Sequence, residues 1–74
     1  MQEYNSDKDL VSLGKRIKEL RKQRKLTLEN LCYKNWLEPS TVSRIEKGLV
    51  DPKYSTLLKL ASAFNISLSE LLNL

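Results

Sequence analysis

Apolar residues recur at helical spacing in five segments of this 74-residue chain. The first segment begins at Ser6, whose hydroxyl can cap a helix, and is predicted to end near Arg24 or Lys25. Its apolar residues are three or four positions apart: Leu10, Leu13, Ile17 and Leu20. Because that spacing places side chains on one face of an α-helix, we predict a long amphipathic first helix.

Two shorter helices are predicted next, joined by a tight turn. Thr27 can cap the second helix, which we expect to end near Lys34 or Asn35. Pro39 suits the first position of a third helix, because its missing amide hydrogen would have no partner there, and Gly48 suits a left-handed residue that ends it. The inward-facing residues of these two helices are expected to be Leu28, Leu31, Cys32, Val42, Ile45 and Leu49.

The last two helices complete the pattern. A fourth helix is predicted from about Tyr54 to Phe64, with Asn65 as its left-handed terminator. Ser67 and Glu70 have the spacing of a capping box, which begins a short fifth helix. The inward-facing residues of the fourth helix are Leu57, Leu60, Ala61 and Phe64. Since no segment has a convincing strand pattern and the connections are short, the predicted fold class is all-α, a compact five-helix bundle.

The length of the chain fits one domain with one modest core. We expect residues 1–5 to be a flexible N-terminal arm and residues 6–74 to form the single domain. The lone cysteine, Cys32, cannot form an internal disulfide, and no apolar stretch approaches the ~20 residues of a membrane span. We therefore predict a cytoplasmic protein that has no membrane partner.

Basic residues are concentrated in the first helix. The chain has 13 Lys and Arg against 9 Asp and Glu, a formal charge of +4 that favours a polyanionic partner without establishing one. Seven of the 13 lie close together: Lys15, Arg16, Lys18, Arg21, Lys22, Arg24 and Lys25. A solvated helix face would account for such a run equally well.

The residue types that most enzymes and metal sites need are scarce. The chain has no histidine and one cysteine, and no acidic pair lies in an apolar segment. Gly14 and Gly48 are too far apart for a phosphate-binding loop. We therefore predict that the chain is not an enzyme and binds no metal, no cofactor and no small-molecule ligand. Cys32 is interpreted as a small buried side chain.

The start of the third helix carries the most informative polar pattern. A helix that enters the major groove of DNA uses its N-terminal residues, which must be short, polar and free of core duty. The candidate contact residues, which alternate with the inward side chains of that helix, are Pro39, Ser40, Thr41, Ser43 and Arg44. Hydroxyls can exchange hydrogen bonds with base edges, and an arginine can reach guanine or a phosphate. Ordinary solvent exposure would explain these residues if the segment were considered alone.

A family resemblance extends over most of the chain. It is carried by blocks in a fixed order and spacing, at residues 13–21, 26–27, 40–48, 52 and 56–61. From residue 13 to residue 72, the chain resembles the Cro and phage-repressor helix-turn-helix family. The resemblance implies a lambda-repressor-like DNA-binding domain, in which helices two and three form the helix-turn-helix. It also implies a sequence-specific transcriptional regulator, more often a repressor than an activator, that binds a near-palindromic operator in double-stranded DNA as a homodimer.

The resemblance implies roles for individual residues as well. It assigns the base contacts to the five residues named above, Pro39 to Arg44 without Val42. It assigns contacts with backbone phosphates to Thr27, Lys47 and Lys53. Finally, it pairs Arg21 with Glu46 in a structural salt bridge.

The chain departs from the family pattern at three positions. Leu28 stands where a phosphate-contacting glutamine is usual, and Glu38 stands where serine or threonine usually caps the third helix. Trp36 lies in the turn where glycine or asparagine is usual, so either its backbone is left-handed or the turn differs. We expect its indole to cover the core beside Leu37 rather than to form a dimer or ligand surface. Leu28 and Glu38 keep a second function open, an antitoxin-like or coactivator-like protein-interaction adaptor with weak or no DNA binding.

Overall fold

A computed structural model of the chain describes residues 6–74, and its helices lie close to the predicted segments. They are α1 (Ser6–Gln23), α2 (Leu28–Cys32), α3 (Pro39–Glu46), α4 (Tyr54–Ala63) and α5 (Leu68–Leu71). No strand occurs among the described residues, so the predicted all-α, five-helix fold is confirmed. The predicted N-terminal arm, residues 1–5, lies outside the described residues.

One apolar core joins the five helices. Every helix contributes at least one side chain that is less than 2% exposed: Ile17, Leu31, Val42, Ile45, Leu60 and Leu71. Full burial of such a side chain stabilises a fold by ~1.5 to 3 kcal/mol. Since α5 has only four residues, it owes its stability to burial of Leu71 in this core rather than to helix propensity.

The start of each short helix is fixed by the local chemistry of its cap. The Thr27 hydroxyl accepts a hydrogen bond of 3.0 Å from the amide of Asn30 at the start of α2. The Ser67 hydroxyl accepts one of 3.0 Å from the amide of Glu70 at the start of α5. Both predicted caps are confirmed, and each satisfies an amide that the helix leaves without a partner.

Three helices end in the same way, with a left-handed residue just past the helix. That residue is Lys25 after α1 (φ 55°), Gly48 after α3 (φ 72°) and Asn65 after α4 (φ 58°). After α3, the amide of Gly48 donates to the Ile45 carbonyl at 3.0 Å and the amide of Leu49 donates to the Arg44 carbonyl at 3.0 Å. This pair of bonds is the Schellman motif, which satisfies carbonyls at a helix end.

Two details of the predicted helices are wrong. Helix α2 ends at Cys32 rather than near Lys34 or Asn35. The side-chain amide of Asn35 donates to the Leu31 carbonyl at 2.6 Å. This carbonyl would otherwise need a backbone amide from a further turn of helix. Leu49 was expected to face inward, but it is 67% exposed because the left-handed turn at Gly48 takes the chain away from the periodicity of α3.

Helix α1 lies directly against the C-terminal end of α3, and Gly14 is the point of contact. A Cβ atom added to Gly14 would lie 2.6 Å from the carbonyl oxygen of Glu46, and closer still to that of Ile45. Two backbones can approach this closely only where one residue has no side chain. Gly14 therefore fixes how α3 is held by the rest of the domain.

Candidate nucleic-acid interface

The outward face of α3 carries the residues predicted to contact bases. Val42 is fully buried and Ile45 is 1% exposed, and these two side chains fasten the helix to the core. The five residues that are predicted to contact bases lie before Val42 or between Val42 and Ile45. Pro39, Ser40 and Arg44 are exposed, and Thr41 and Ser43 are half-buried. The structure therefore presents all five predicted residues at least partly to solvent along one short helix.

A groove runs between α3 and the segment that leads into α4. It has a volume of about 390 Å³, and its lining includes Thr41 and Arg44 from α3 and Lys53 from the start of α4. Two predicted base-contacting residues and one predicted phosphate-contacting residue thus share one concave surface. The arginine and the lysine can attract an anionic polymer, although the carboxylates of Glu38 and Asp51 line the same groove.

The other two predicted phosphate-contacting residues lie outside this groove. Lys47 is exposed and follows the last residue of α3. Thr27 is also exposed, and its hydroxyl oxygen already accepts the capping bond from Asn30. Because a hydroxyl both accepts and donates, the hydrogen of Thr27 is still available for a phosphate oxygen.

Arg21 and Glu46 link α1 to the end of α3. The Nε of Arg21 donates to Glu46 Oε2 at 2.8 Å, and Nη2 donates to Oε1 at 3.1 Å, so the ion pair is bidentate. Nη1 of Arg21 donates to the Leu26 carbonyl at 2.8 Å, which also ties in the segment between α1 and α2. The hydrogen bond to Glu46 raises the pKa of Arg21, although burial opposes the rise. With side chains only 13% and 6% exposed, the pair braces α3 and is little available to a partner.

Two further arginines of the basic run in α1 also have structural partners. Arg16 donates to the carbonyls of Glu70 (2.8 Å) and Leu71 (3.3 Å), at the end of α5. Arg24 donates to the Phe64 carbonyl at 3.3 Å and lies over the Phe64 ring, 5.2 Å from its centroid. These roles were not predicted, because both partners are far away in sequence. Three of the seven basic residues of this run therefore stabilise the fold, which weakens its interpretation as an anion-binding surface.

The expected position of Trp36 is wrong. The indole is 88% exposed and does not cover the core, whereas Leu37 packs against the core from the same turn. Trp36 has a left-handed backbone with φ 59°, which settles the question that the sequence left open. Lys34 is left-handed as well, with φ 63°. Two left-handed residues in a turn that contains no glycine direct the tryptophan outward into solvent.

Glu38 occupies the cap position of α3 without acting as a side-chain cap. Its backbone is extended (φ −101°, ψ 130°), and its carboxylate makes no bond to the helix amides. The side chain is exposed and lines the groove together with Thr41 and Arg44. A negative charge is thus present on the surface that carries the predicted contact residues.

Cys32 is the small buried side chain that the sequence predicts. It is 6% exposed and belongs to the core. Burial raises the pKa of its thiol, and the nearby Glu46 carboxylate adds to the rise. A thiol held in its protonated form is a poor nucleophile.

Among residues 6–74, no three His, Cys, Asp or Glu side chains form a group that could hold a metal ion. No helix of that range has the length and apolar character to cross a membrane.

The geometry defines a helix-turn-helix domain: α2, a short turn, and an α3 that is anchored on one face and polar on the other. A family model described as helix-turn-helix matches residues 17–71, so the chain belongs to the helix-turn-helix family. The predicted family resemblance is confirmed by relatives that are named as helix-turn-helix transcriptional regulators and as a phage immunity repressor. Over 59 residues the chain is 41% identical to the immunity repressor protein of Bacillus phage phi105, covering 80% of this chain and 41% of the relative.

A second relative and a solved structure support the same family assignment. The chain is 40% identical over 65 residues to the transcriptional regulator PuuR of Escherichia coli, which covers 88% of this chain and 35% of PuuR. The chain therefore spans less than half the length of these two relatives. The restriction-modification controller protein C.AhdI of Aeromonas hydrophila superposes with a TM-score of 0.86 at 35% identity, covering 92% of this chain and 99% of that protein.

Proposed function

We propose that this chain is the operator-binding domain of a transcriptional repressor, which acts in the cytoplasm by binding DNA and without catalysis or a cofactor. The observation that supports this most is the division of α3 into two faces. Val42 and Ile45 are buried, while the hydroxyls and the guanidinium of the other face are at least partly exposed. The regulators and the phage repressor to which the chain is similar support the same function.

In the proposed complex, the outward face of α3 lies in the major groove, which is ~12 Å wide and admits a helix. Ser40, Thr41 and Ser43 exchange hydrogen bonds with base edges, and the ring of Pro39 contacts a thymine methyl group. Arg44 donates to the O6 and N7 acceptors of guanine, as a bidentate arginine does in major-groove contacts. These contacts supply sequence preference, because each base pair presents a distinct pattern in this groove.

Phosphate contacts supply most of the affinity in the proposed complex. Lys47 and Lys53 neutralise phosphates, and the Thr27 hydroxyl donates to a third. Two lysines in each of two protomers correspond to four neutralised phosphates, for which the logarithm of the binding constant falls with a slope of about −3.6 against the logarithm of salt concentration. Affinity should then fall ~150-fold between about 50 and 200 mM salt.

We propose that the domain binds as a homodimer through the surface of α5 and the residues that follow it. Leu68 is half-buried, Leu72 is 40% exposed, and Leu74 is 66% exposed. In this proposal the two recognition helices lie about 34 Å apart, one helical turn of DNA, and the operator is palindromic. Sedimentation of the wild-type chain and of a Leu72→Lys variant tests this arrangement, and an unchanged monomer–dimer equilibrium would refute it.

The test of the proposed function is selection from random duplex oligonucleotides with the purified chain. We expect enrichment of one motif, repeated as an inverted pair. Arg44→Ala should reduce the preference at one position of each half-site by about 5- to 150-fold. Lys18→Ala is the control for removing a positive charge, since Lys18 is exposed on α1 and belongs to no proposed contact. Selection without any enriched motif would rule out the proposed function.

A protein-interaction adaptor is the second candidate, and the exposed apolar side chains beside the helix-turn-helix favour it. Trp36 (88% exposed) and Leu58 (42% exposed) line one groove of about 420 Å³, and the neighbouring Tyr33 is 70% exposed. An adaptor should show little salt-sensitive binding to DNA, whereas an operator-binding domain should show the slope derived above. The salt titration of a mixed-sequence duplex therefore separates the two functions.

A further inference from the structure

The carboxylate of Glu38 has no partner within the described part of the protein. It makes no cap bond, and no ion pair or side-chain hydrogen bond involves it among residues 6–74. The backbone carbonyl of Glu38, by contrast, accepts the amide of Val42 at 3.1 Å and so begins the helix ladder. The residue is therefore fixed by its main chain while its charge stays free.

The unpaired charge of Glu38 is notable because two cations line the same groove, along with one further carboxylate, that of Asp51. Arg44 and Lys53 both border it with Glu38, yet no described ion pair within 4.0 Å joins either of them to that carboxylate. Against a DNA backbone, an unpaired carboxylate on this surface costs affinity by repulsion from phosphates. A favourable role for Glu38 in the complex must therefore come from a base rather than from the backbone.

The chemistry of the major groove selects one base for a carboxylate. An ionised carboxylate only accepts hydrogen bonds. Guanine and thymine present acceptors in this groove, and adenine presents its amino group beside the N7 acceptor, which would repel the second carboxylate oxygen. Cytosine presents the N4 amino donor without such an acceptor, so it is the base that a carboxylate recognises.

We propose that Glu38 is a specificity-determining residue that requires a cytosine in each half-site. This cytosine lies across the major groove from the guanine that Arg44 contacts. This inference rests on the proposed function, because it assumes that α3 enters the major groove. The carboxylate acts by repelling bases that present acceptors at its position in the groove. Its repulsion from the phosphates lowers the affinity for every DNA sequence by the same factor. Glu38 thus lowers the overall affinity for DNA and raises the preference for one base.

The experiment is parallel selection with the wild-type chain, Glu38→Gln and the control Glu19→Gln, followed by competition binding with duplexes that carry each base at the enriched positions. Glu19 is exposed on α1 and belongs to no proposed contact, so its substitution removes the same charge from elsewhere. We expect wild type and Glu19→Gln to enrich the same cytosine. Glu38→Gln should bind mixed-sequence DNA more tightly and should lose the preference for that cytosine by about 5- to 150-fold, with adenine accepted in its place.

The possible outcomes separate this inference from the function on which it rests. If no motif is enriched by any of the proteins, the proposed function is wrong and the inference falls with it. If Glu38→Gln enriches the wild-type motif at every position, even with tighter binding overall, Glu38 is only a repulsive charge and the inference alone is overturned. Circular dichroism of Glu38→Gln and Glu19→Gln shows whether the two variants remain folded.

Discussion

Substitution of Gly14 by alanine should destabilise the domain, although alanine is the better helix former. Gly14 lies inside α1, where the exchange alone would favour the helix by about 1 kcal/mol. The new Cβ, however, would lie 2.6 Å from the Glu46 carbonyl oxygen and 2.9 Å from its carbonyl carbon, where ordinary contacts begin at 3.4 Å. Helices α1 and α3 must therefore separate by about 1 Å at this point.

The cost of this separation exceeds the gain in helix propensity. A gap of ~0.5 to 1 Å loses a quarter to a half of the dispersion energy between the atoms that it separates. The obstructing atoms belong to backbone, which cannot rotate aside, so we place the cost near 3 kcal/mol, at the upper end of the usual range for overpacking. The net loss is about 2 kcal/mol, which corresponds to a fall in Tm of about 8 to 16 °C for a domain of this size.

Thermal unfolding followed by circular dichroism measures this effect directly. Ser12→Ala is the matched control, because Ser12 is exposed on the same helix and its exchange tests propensity alone. We expect Ser12→Ala to raise the Tm slightly and Gly14→Ala to lower it. A Gly14→Ala protein with the wild-type Tm or a higher one would refute the close approach of α1 and α3.

Three further predictions concern single side chains. Trp36→Gly should stabilise the domain by about 1 kcal/mol in urea unfolding, because the indole is 88% exposed and glycine removes the cost of the left-handed backbone; a loss of stability would show that the indole packs on the fold. Arg21→Ala and Glu46→Ala should each cost about 3 kcal/mol, since each leaves a nearly buried charge alone, and a double-mutant cycle should show strong coupling, whereas additive losses would contradict the bidentate pair. Because burial raises the pKa of Cys32 above its ordinary value of 9.0, the native thiol keeps its proton where the unfolded one loses it, so the free energy of unfolding should fall as pH rises past that value; Cys32→Ala should lack this part of the fall, and equal slopes would argue against burial of the thiol.

Much of the fold was predictable because its elements are specified locally. Thr27 and Ser67 cap their helices with their own hydroxyls, and Pro39 and Gly48 mark the two ends of α3 through their backbone preferences. The end of α2 was not predictable in the same way. It depends on the side-chain amide of Asn35 turning back to the Leu31 carbonyl, which competes with another turn of helix.

In the candidate site, too, the features that depend on local sequence were predictable and those that depend on distant residues were not. The outward positions of α3 follow from the spacing of Val42 and Ile45, so sequence reasoning found them, and their proposed contacts remain predictions. The roles of Arg16 and Arg24 could not be found, because their acceptors lie 54 or 55 and 40 residues away. The exposure of Trp36 depends on the left-handed backbone at Lys34 and Trp36, where the turn contains no glycine to mark it.

The proposed function requires the polar face of α3 to contact duplex DNA. Titration of the isotopically labelled chain with the selected duplex, followed by amide chemical-shift changes in NMR spectra, tests this requirement. The largest changes should lie at Ser40, Thr41, Ser43 and Arg44 and should continue into the amide of Lys53. Changes centred on Trp36 and Leu58, with α3 unaffected, would contradict it.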